Sequence, residues 1–172
     1  EMAIITKWSN VAVSVQSAIA STVNLSAVTK ASPGVVTTGS AHGYSNGDYV
    51  LMTVAGMYQL NYRVFRISAA SGSTFTLEGE DTTNYSTYVS GTCQKITFGT
   101  SLATLTNINA SGGDFSFIDT TTIHDSIKTQ VPGLPNPSTY SFESFWDPSD
   151  AGLIALKSAS DAQAQRATLF SF

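Results

Sequence analysis

Between Val35 and Ile96 short β-rich runs alternate with turn signals, and this rhythm restricts the possible folds more than any other feature of the chain. Val35–Thr38, Tyr49–Val54, Arg63–Ser68, Thr74–Glu78 and Thr87–Ile96 are rich in β-branched and aromatic residues. Ser45-Asn-Gly-Asp48, Ala55-Gly-Met57, Ser71-Gly-Ser73 and Ser90-Gly91 punctuate them with residues that favour tight turns. Short strands with a turn signal every ten residues or so predict a small barrel or sandwich. No helical pattern interrupts them.

A second organised stretch lies at the C-terminal end. Tyr140, Phe142, Ser144 and Trp146 alternate with Ser141, Glu143 and Phe145, which predicts a strand. A helix start follows, with Asp147 as N-cap, Pro148 at the first helical position and Asp150 adding negative charge at the positive end of the dipole. Leu153, Ile154, Leu156 and Ala159 form an apolar stripe with which the helix docks. Ala167–Phe170 then reads as a returning strand that the helix covers, giving a strand–helix–strand unit.

The remaining segments are less regular. From Trp8 onward, Val11, Val13 and Val15 alternate like a strand, while Val11, Val15, Ala18 and Ile19 fit a helical stripe; the balance tips towards helix for 11–20. Ala31-Ser-Pro-Gly34 is a breaker. Ile96–Phe98, Leu102–Leu105 and Phe115–Ile118 read as strands of a second sheet system, with Asn107–Gly113 as a polar turn region. Residues 119–138 lose alternation and gain Pro132, Pro135 and Pro137, so a long irregular loop is expected. It is nevertheless apolar at Ile123, Ile127, Val131 and Leu134, which suggests a partner outside its own domain.

Composition and charge exclude several function classes. Hydrophobic residues make up 42% of the 172-residue chain, too many for a disordered protein, while charged residues make up only 12%. That is about half of what soluble domains usually carry, and it favours a surface largely covered in an assembly. The net charge is −4 and the few Lys and Arg are scattered, which argues against a module that grips a phosphate backbone. Val11–Ala20 is interrupted by Ser14, Gln16 and Ser17, no run reaches the length of a membrane span, and a soluble chain is expected. With Glu1 ahead of Met2, the first residue is not expected to be the native initiator, which bears on processing rather than on function.

No catalytic constellation emerges, and neither an enzyme nor a cofactor is expected. His42 and His124 are the two histidines, with Asp48 and Asp125 as the nearest candidate ligands but no ligand spacing. Cys93 is the single cysteine and reads as a small apolar filler rather than a nucleophile paired with His42. Glu78, Glu80 and Asp81, or Glu143, Asp147 and Asp150, could supply an acid/base pair only across a cleft. Ser111-Gly-Gly113 lacks the lysine of a phosphate loop. Tyr44, Tyr49, Tyr58, Tyr62, Tyr85 and Tyr88 concentrate in the strand-rich block, packed on the sheet or displayed for binding.

Two resemblances organise these readings. Ile118-Asp-Thr-Thr-Thr-Ile-His124, Val131-Pro-Gly-Leu-Pro-Asn-Pro137 and Tyr140-Ser-Phe142, followed by Trp146-Asp-Pro-Ser-Asp150, Leu153 and Leu156, resemble the major tail tube proteins of long-tailed (siphovirus, lambda-like) bacteriophages. Gly34-Val-Val-Thr-Thr38, Ala41-His-Gly-Tyr-Ser-Asn-Gly-Asp-Tyr-Val50, Val54-Ala-Gly-Met57, Leu60-Asn61, Phe75-Thr-Leu77 and Tyr88-Val-Ser-Gly91 look like a small β-barrel module of phage structural proteins. Its profile is named for the first catalytic cysteine half-domain of ubiquitin-activating enzymes, a β-scaffold without activity of its own.

Together they imply a mainly β protein. Residues 1–31 and 96–172 would form a tail-tube β-sandwich or barrel with one short helix, and 32–95 an inserted small β-barrel. The implied function is structural: hexameric rings stack into a helical tube that conducts DNA during ejection, in the virion tail, after assembly in the host cytoplasm. Implied partners are other copies of the chain, the tape measure, tail terminator and baseplate or tip proteins, and DNA passing without specific binding. A lumen lined by a net negative protein would adhere to DNA weakly. Ile123, His124, Ile127, Val131 and Leu134 would then serve contacts between subunits or rings. Asp147, Pro148, Asp150, Leu153 and Leu156 would cap and dock the helix. In the family further strands follow the helix, whereas this sequence stops at Phe172 in mid-strand, so the expectation is a fragment or a fold completed differently. The alternative class is a virion-surface or secreted binding module, an adhesin or carbohydrate binder, centred on the Tyr-rich block.

Overall fold

The computed structural model describes residues 11–124 and 126–171, which fall into two compact units, 11–102 with 149–171 and 103–148. The expectations that touch Glu1, Met2, Trp8, Asp125 and Phe172 lie outside the described residues.

The first unit is built on a closed barrel. β1 (Ala12–Ile19), β2 (Val23–Val28), β3 (Val35–Thr38), β4 (Tyr49–Ala55), β5 (Arg63–Ser71), β6 (Thr74–Leu77) and β7 (Ser90–Ser101) follow in chain order. The order around the barrel is β7-β2-β3-β6-β5-β4, and β4 pairs back onto β7, so that six antiparallel strands close with no free edge. Alternation explains why: Val50, Met52 and Val54 of β4, Phe75 and Leu77 of β6, and Val36 of β3 point inward and are buried. Met57 and Leu60, on a single 3-10 turn and its cap, fill the interior with Ile67 and Cys93. A barrel this narrow has side chains for a core and no lumen of its own.

Two devices close the turns. Gly56 takes a φ of +85°, and a Cβ there would fall 2.3 Å from the Thr87 carbonyl oxygen, so the β4 end and the chain entering β7 meet only through glycine. The fully buried Thr82 hydroxyl accepts from the Ala31 N–H at 3.1 Å and faces the Thr29 and Ala31 carbonyls at 2.7 and 2.9 Å, tying the bend before β3 to the chain after β6.

β7 serves twice. Its first half pairs with β4, and from Ile96 to Ser101 it pairs with β1, which pairs in turn with β12 (Thr168–Ser171). The expected helix over 11–20 is therefore a strand. Val13 and Val15 are buried as alternation demands, but register shifts at Gln16 break the period of two, and this irregularity gives the helix-like spacing. α1 (Ala151–Asp161) packs on β1 and β7. Gly152 permits the close approach, since a Cβ there would lie 2.8 Å from Leu102 Cδ2 and 3.1 Å from the Ser101 carbonyl.

The second unit consists of two two-stranded ribbons. β8 (Leu105–Ser111) pairs with β11 (Thr139–Ser144), and β9 (Phe115–Asp119) pairs with β10 (Gln130–Pro135). Gly112 and Gly113, at φ +93° and +82°, join one ribbon to the next. Three expectations change here. Asn107–Gly113 is mostly strand rather than turn, because its polar residues pair with β11: Thr106 Oγ1 donates to the Glu143 carbonyl and Asn107 Nδ2 to the Glu143 carboxylate. The irregular loop 119–138 contains β10, since in a two-stranded ribbon alternate N–H groups face outward and a proline there forfeits no ladder bond. The strand–helix–strand unit is divided, for β11 pairs with β8 while β12 pairs with β1.

Candidate functional site

In the barrel, the side chains that could carry chemistry are occupied with holding it together. His42 is buried; its Nδ1 accepts the Tyr44 N–H at 2.9 Å, so the ring proton sits on Nε2, which donates to the Thr74 carbonyl at 3.1 Å. Its ring stacks on Tyr44 and meets Phe75 edge-on. Cys93 is fully buried with its Sγ 3.6 Å from the Tyr44 hydroxyl, and burial pushes the thiol up, away from the reactive thiolate. Burial and the Cys93 contact likewise push the Tyr44 phenol up.

Glu80, Glu78, Asp81 and Asp48 each have a structural partner. Glu80 takes both arms of the Arg63 guanidinium at 2.7 and 3.1 Å and the Tyr85 hydroxyl at 2.6 Å, while Arg63 lies over the Phe65 ring. Glu78 pairs with Arg66, and Asp81 accepts from the Thr83 hydroxyl and N–H. Asp48 is 2.7 Å from Lys95; burial alone would raise its pKa, but the Lys95 ammonium and the Ser45 N–H outweigh that and lower it. Among the described residues no three of His, Cys, Asp or Glu converge as a metal would require, and no helix is long and apolar enough to cross a membrane. His124 is exposed.

The tyrosines divide. Tyr44, Tyr85 and Tyr88 pack against the barrel core, and Tyr49 meets Phe98 edge-on. Tyr58 and Tyr62 are exposed. Tyr62 also holds a φ of 56°, the left-handed region that a bulky side chain rarely occupies.

The helix start differs in detail from expectation. Asp150, rather than Asp147, is the N-cap, and its carboxylate accepts from the Gly152 and Leu153 N–H groups at 2.7 and 3.2 Å. Asp147 and Pro148 precede the helix. Only the short residues Gly152 and Ala159 are fully buried on α1, with Leu153 and Leu156 half-buried, so the helix docks through its small residues.

The remaining candidate surface is the second unit, and its distinguishing property is the lack of a core. No described residue from 103 to 148 is buried. Ile123 is 96% exposed, Leu134 86% and Ile127 76%, with Val131 about half exposed. Phe115–Ile118 is a strand as its residues predict, but in a ribbon rather than a sandwich: Phe115, Phe117 and Ile118 are exposed as well, with Ile118 directly opposite Val131 and Phe117 opposite Pro132. Phe145 and Trp146, just past β11, are also exposed. The signal for this was available in β9, where apolar residues occupy adjacent positions 117 and 118 and so must face both sides of a ribbon. Isolated two-stranded ribbons are marginal in water, and apolar side chains at this density are typical of a surface that becomes covered.

Residues 55–170 match the family model described as phage tail tube protein, TTP. The match runs from the end of β4 through the rest of the barrel, both ribbons, α1 and most of β12. No curated protein matches the chain.

Proposed function

The chain belongs to the phage tail tube protein family, a structural component of the virion tail that associates with itself and with other tail proteins, and we propose that its exposed ribbons are what join one subunit to the next. The observation that carries this reading is that, among the described residues of 103–148, none is buried despite the exposed Ile, Leu, Val and Phe side chains. Subunits joined through Ile123, His124, Ile127, Val131 and Leu134 form hexameric rings, and stacked rings enclose a channel that conducts DNA during ejection. The tape measure, terminator and baseplate or tip proteins cap or fill that tube. The role is scaffolding without turnover, and within the barrel His42, Cys93, Glu78, Glu80 and Asp81 serve as structural fasteners.

Within the subunit we propose that the barrel is a separable insertion. The segment read from the sequence is 32–95; β2 contributes the strand between β7 and β3, so a cut that respects the pairing takes residues 23–95 together. Negative-stain microscopy of concentrated purified protein tests the assembly reading. Tubes of stacked rings are expected, and a monodisperse monomer at every concentration and ionic strength would overturn it.

A further inference from the structure

We propose that the outer face of the barrel across β2, β7 and β4 binds a neutral oligosaccharide, with Tyr62 as its stacking platform. The proposal stands apart from the tube reading, which rests on the other unit. In the strand ladders Asn24 lies opposite Thr92, and Thr92 lies opposite Thr53. Their neighbours Leu25, Cys93 and Val54 are buried in the core, so alternation turns Asn24, Thr92 and Thr53 outward as one row across three strands. With strands ~4.8 Å apart the row is ~10 Å long, the span of two sugar rings.

This row floors an open groove that Asn61, Tyr62 and Ser90 also line. Asn61 accepts the Val54 N–H through Oδ1 at 2.9 Å, which fixes its carboxamide and leaves the amide N–H groups as donors. Among the described residues, no Asp, Glu, Lys, Arg or His lines the groove. Hydroxyls and amides that donate and accept equally suit the hydroxyls of a neutral sugar, and an exposed phenol ring suits the C–H face of a pyranose. A charged ligand would find no counter-charge here, and a protein segment would find no deep apolar pocket for an anchoring side chain.

The backbone at Tyr62 supports the assignment. Its N–H is held by the Met52 carbonyl at 2.8 Å, and its φ of 56° is one that glycine would adopt freely. Tyr62 is 74% exposed, so the fold gains little packing from a residue it must strain to accommodate.

The test is an NMR titration of the full chain with neutral tetrasaccharides of glucose, galactose and N-acetylglucosamine, taken to about 10 mM because one open site of this kind binds at ~1 mM. Expected are saturable shifts confined to residues lining the groove for at least one sugar, with Kd raised about tenfold or more in Tyr62→Gly and clearly weakened in Thr92→Val. Tyr62→Gly should melt no lower than the parent, since glycine suits that backbone, so a loss of binding cannot be ascribed to unfolding. The proposal is overturned if no neutral sugar gives saturable shifts, or if binding survives Tyr62→Gly. It is also overturned if Tyr62→Gly blocks tube formation, because the groove would then be a contact between copies of this chain.

Discussion

At the scale of single residues, side chains that look chemically capable act as fasteners, and their energetics can be tested as such. Asp48 and Lys95 bridge the turn before β4 to β7. The Asp48 carboxyl titrates lower in the folded chain than in the unfolded one, so its contribution is fully present above its unfolded value near pH 4 and is lost as the pH falls through the lower folded value. Lys95→Met should therefore flatten the fall in stability below about pH 4 while changing its shape little near neutrality, as read by urea unfolding at a series of pH values. Asp150→Ala should cost about 1 kcal/mol, the usual value of an N-cap, in the same assay. A larger loss for Asp147→Ala would move the helix start back to where the sequence suggested it. Both acids are visible in the sequence as helix-start residues, but which of them caps is not, because either can satisfy a first-turn N–H and only the extended backbone of Asp150, at φ −71° and ψ 112°, decides.

At the scale of elements, legibility follows regularity. β3, β4 and β6 are readable nearly to the residue because each alternates over its length between buried and more exposed positions, whereas β5 begins at Arg63 as expected but runs past Ser68 to Ser71 through a register shift. β1 carries a helix-like spacing and β2 no strand signal for one reason: register shifts at Gln16 and between Leu25 and Ala27 insert a residue and spoil the period of two. The ribbons were hidden differently. With no buried face, β8 to β11 have no need of alternation, so neither polar Asn107 nor Pro132 is out of place in them. The fit of α1 gives the sharpest element-level test. Gly152→Ala improves intrinsic helix propensity by ~1 kcal/mol, yet its Cβ would press on Leu102 and the Ser101 carbonyl, and the net result should be a loss of about 1 to 2 kcal/mol. Part of that loss should vanish in a Leu102→Ala background, so a double-mutant cycle by chemical denaturation should return a coupling of ~0.5 kcal/mol or more.

For the whole molecule, the contrast is between a unit that buries its core and one in which no described residue is buried. The barrel closes all its edges and packs Phe75, Met52, Ile67 and Leu77 out of water, so removing 23–95 in favour of a short Gly/Ser linker tests whether it is an insertion: polymerisation should persist if it is, and folding should fail if it is not. The ribbons invite the opposite experiment. Ile123 and Ile127 contribute almost nothing to folding while they stay exposed, because burial is what makes an apolar side chain stabilising. The same two side chains become expensive to replace once a neighbouring subunit covers them, at ~1.5 to 3 kcal/mol for each fully buried Ile. Changing both to Ser should leave the melting temperature of the monomer nearly unchanged and abolish tube formation under conditions where the parent polymerises. Hydrogen exchange separates this from a hidden folding defect. In the free chain the ribbon amides should exchange far faster than those of β4 and β7, and in the assembled parent they should become protected. Protection of β9 and β10 before assembly would show that the ribbons already have a partner in their own chain, and the assembly role would fall with it.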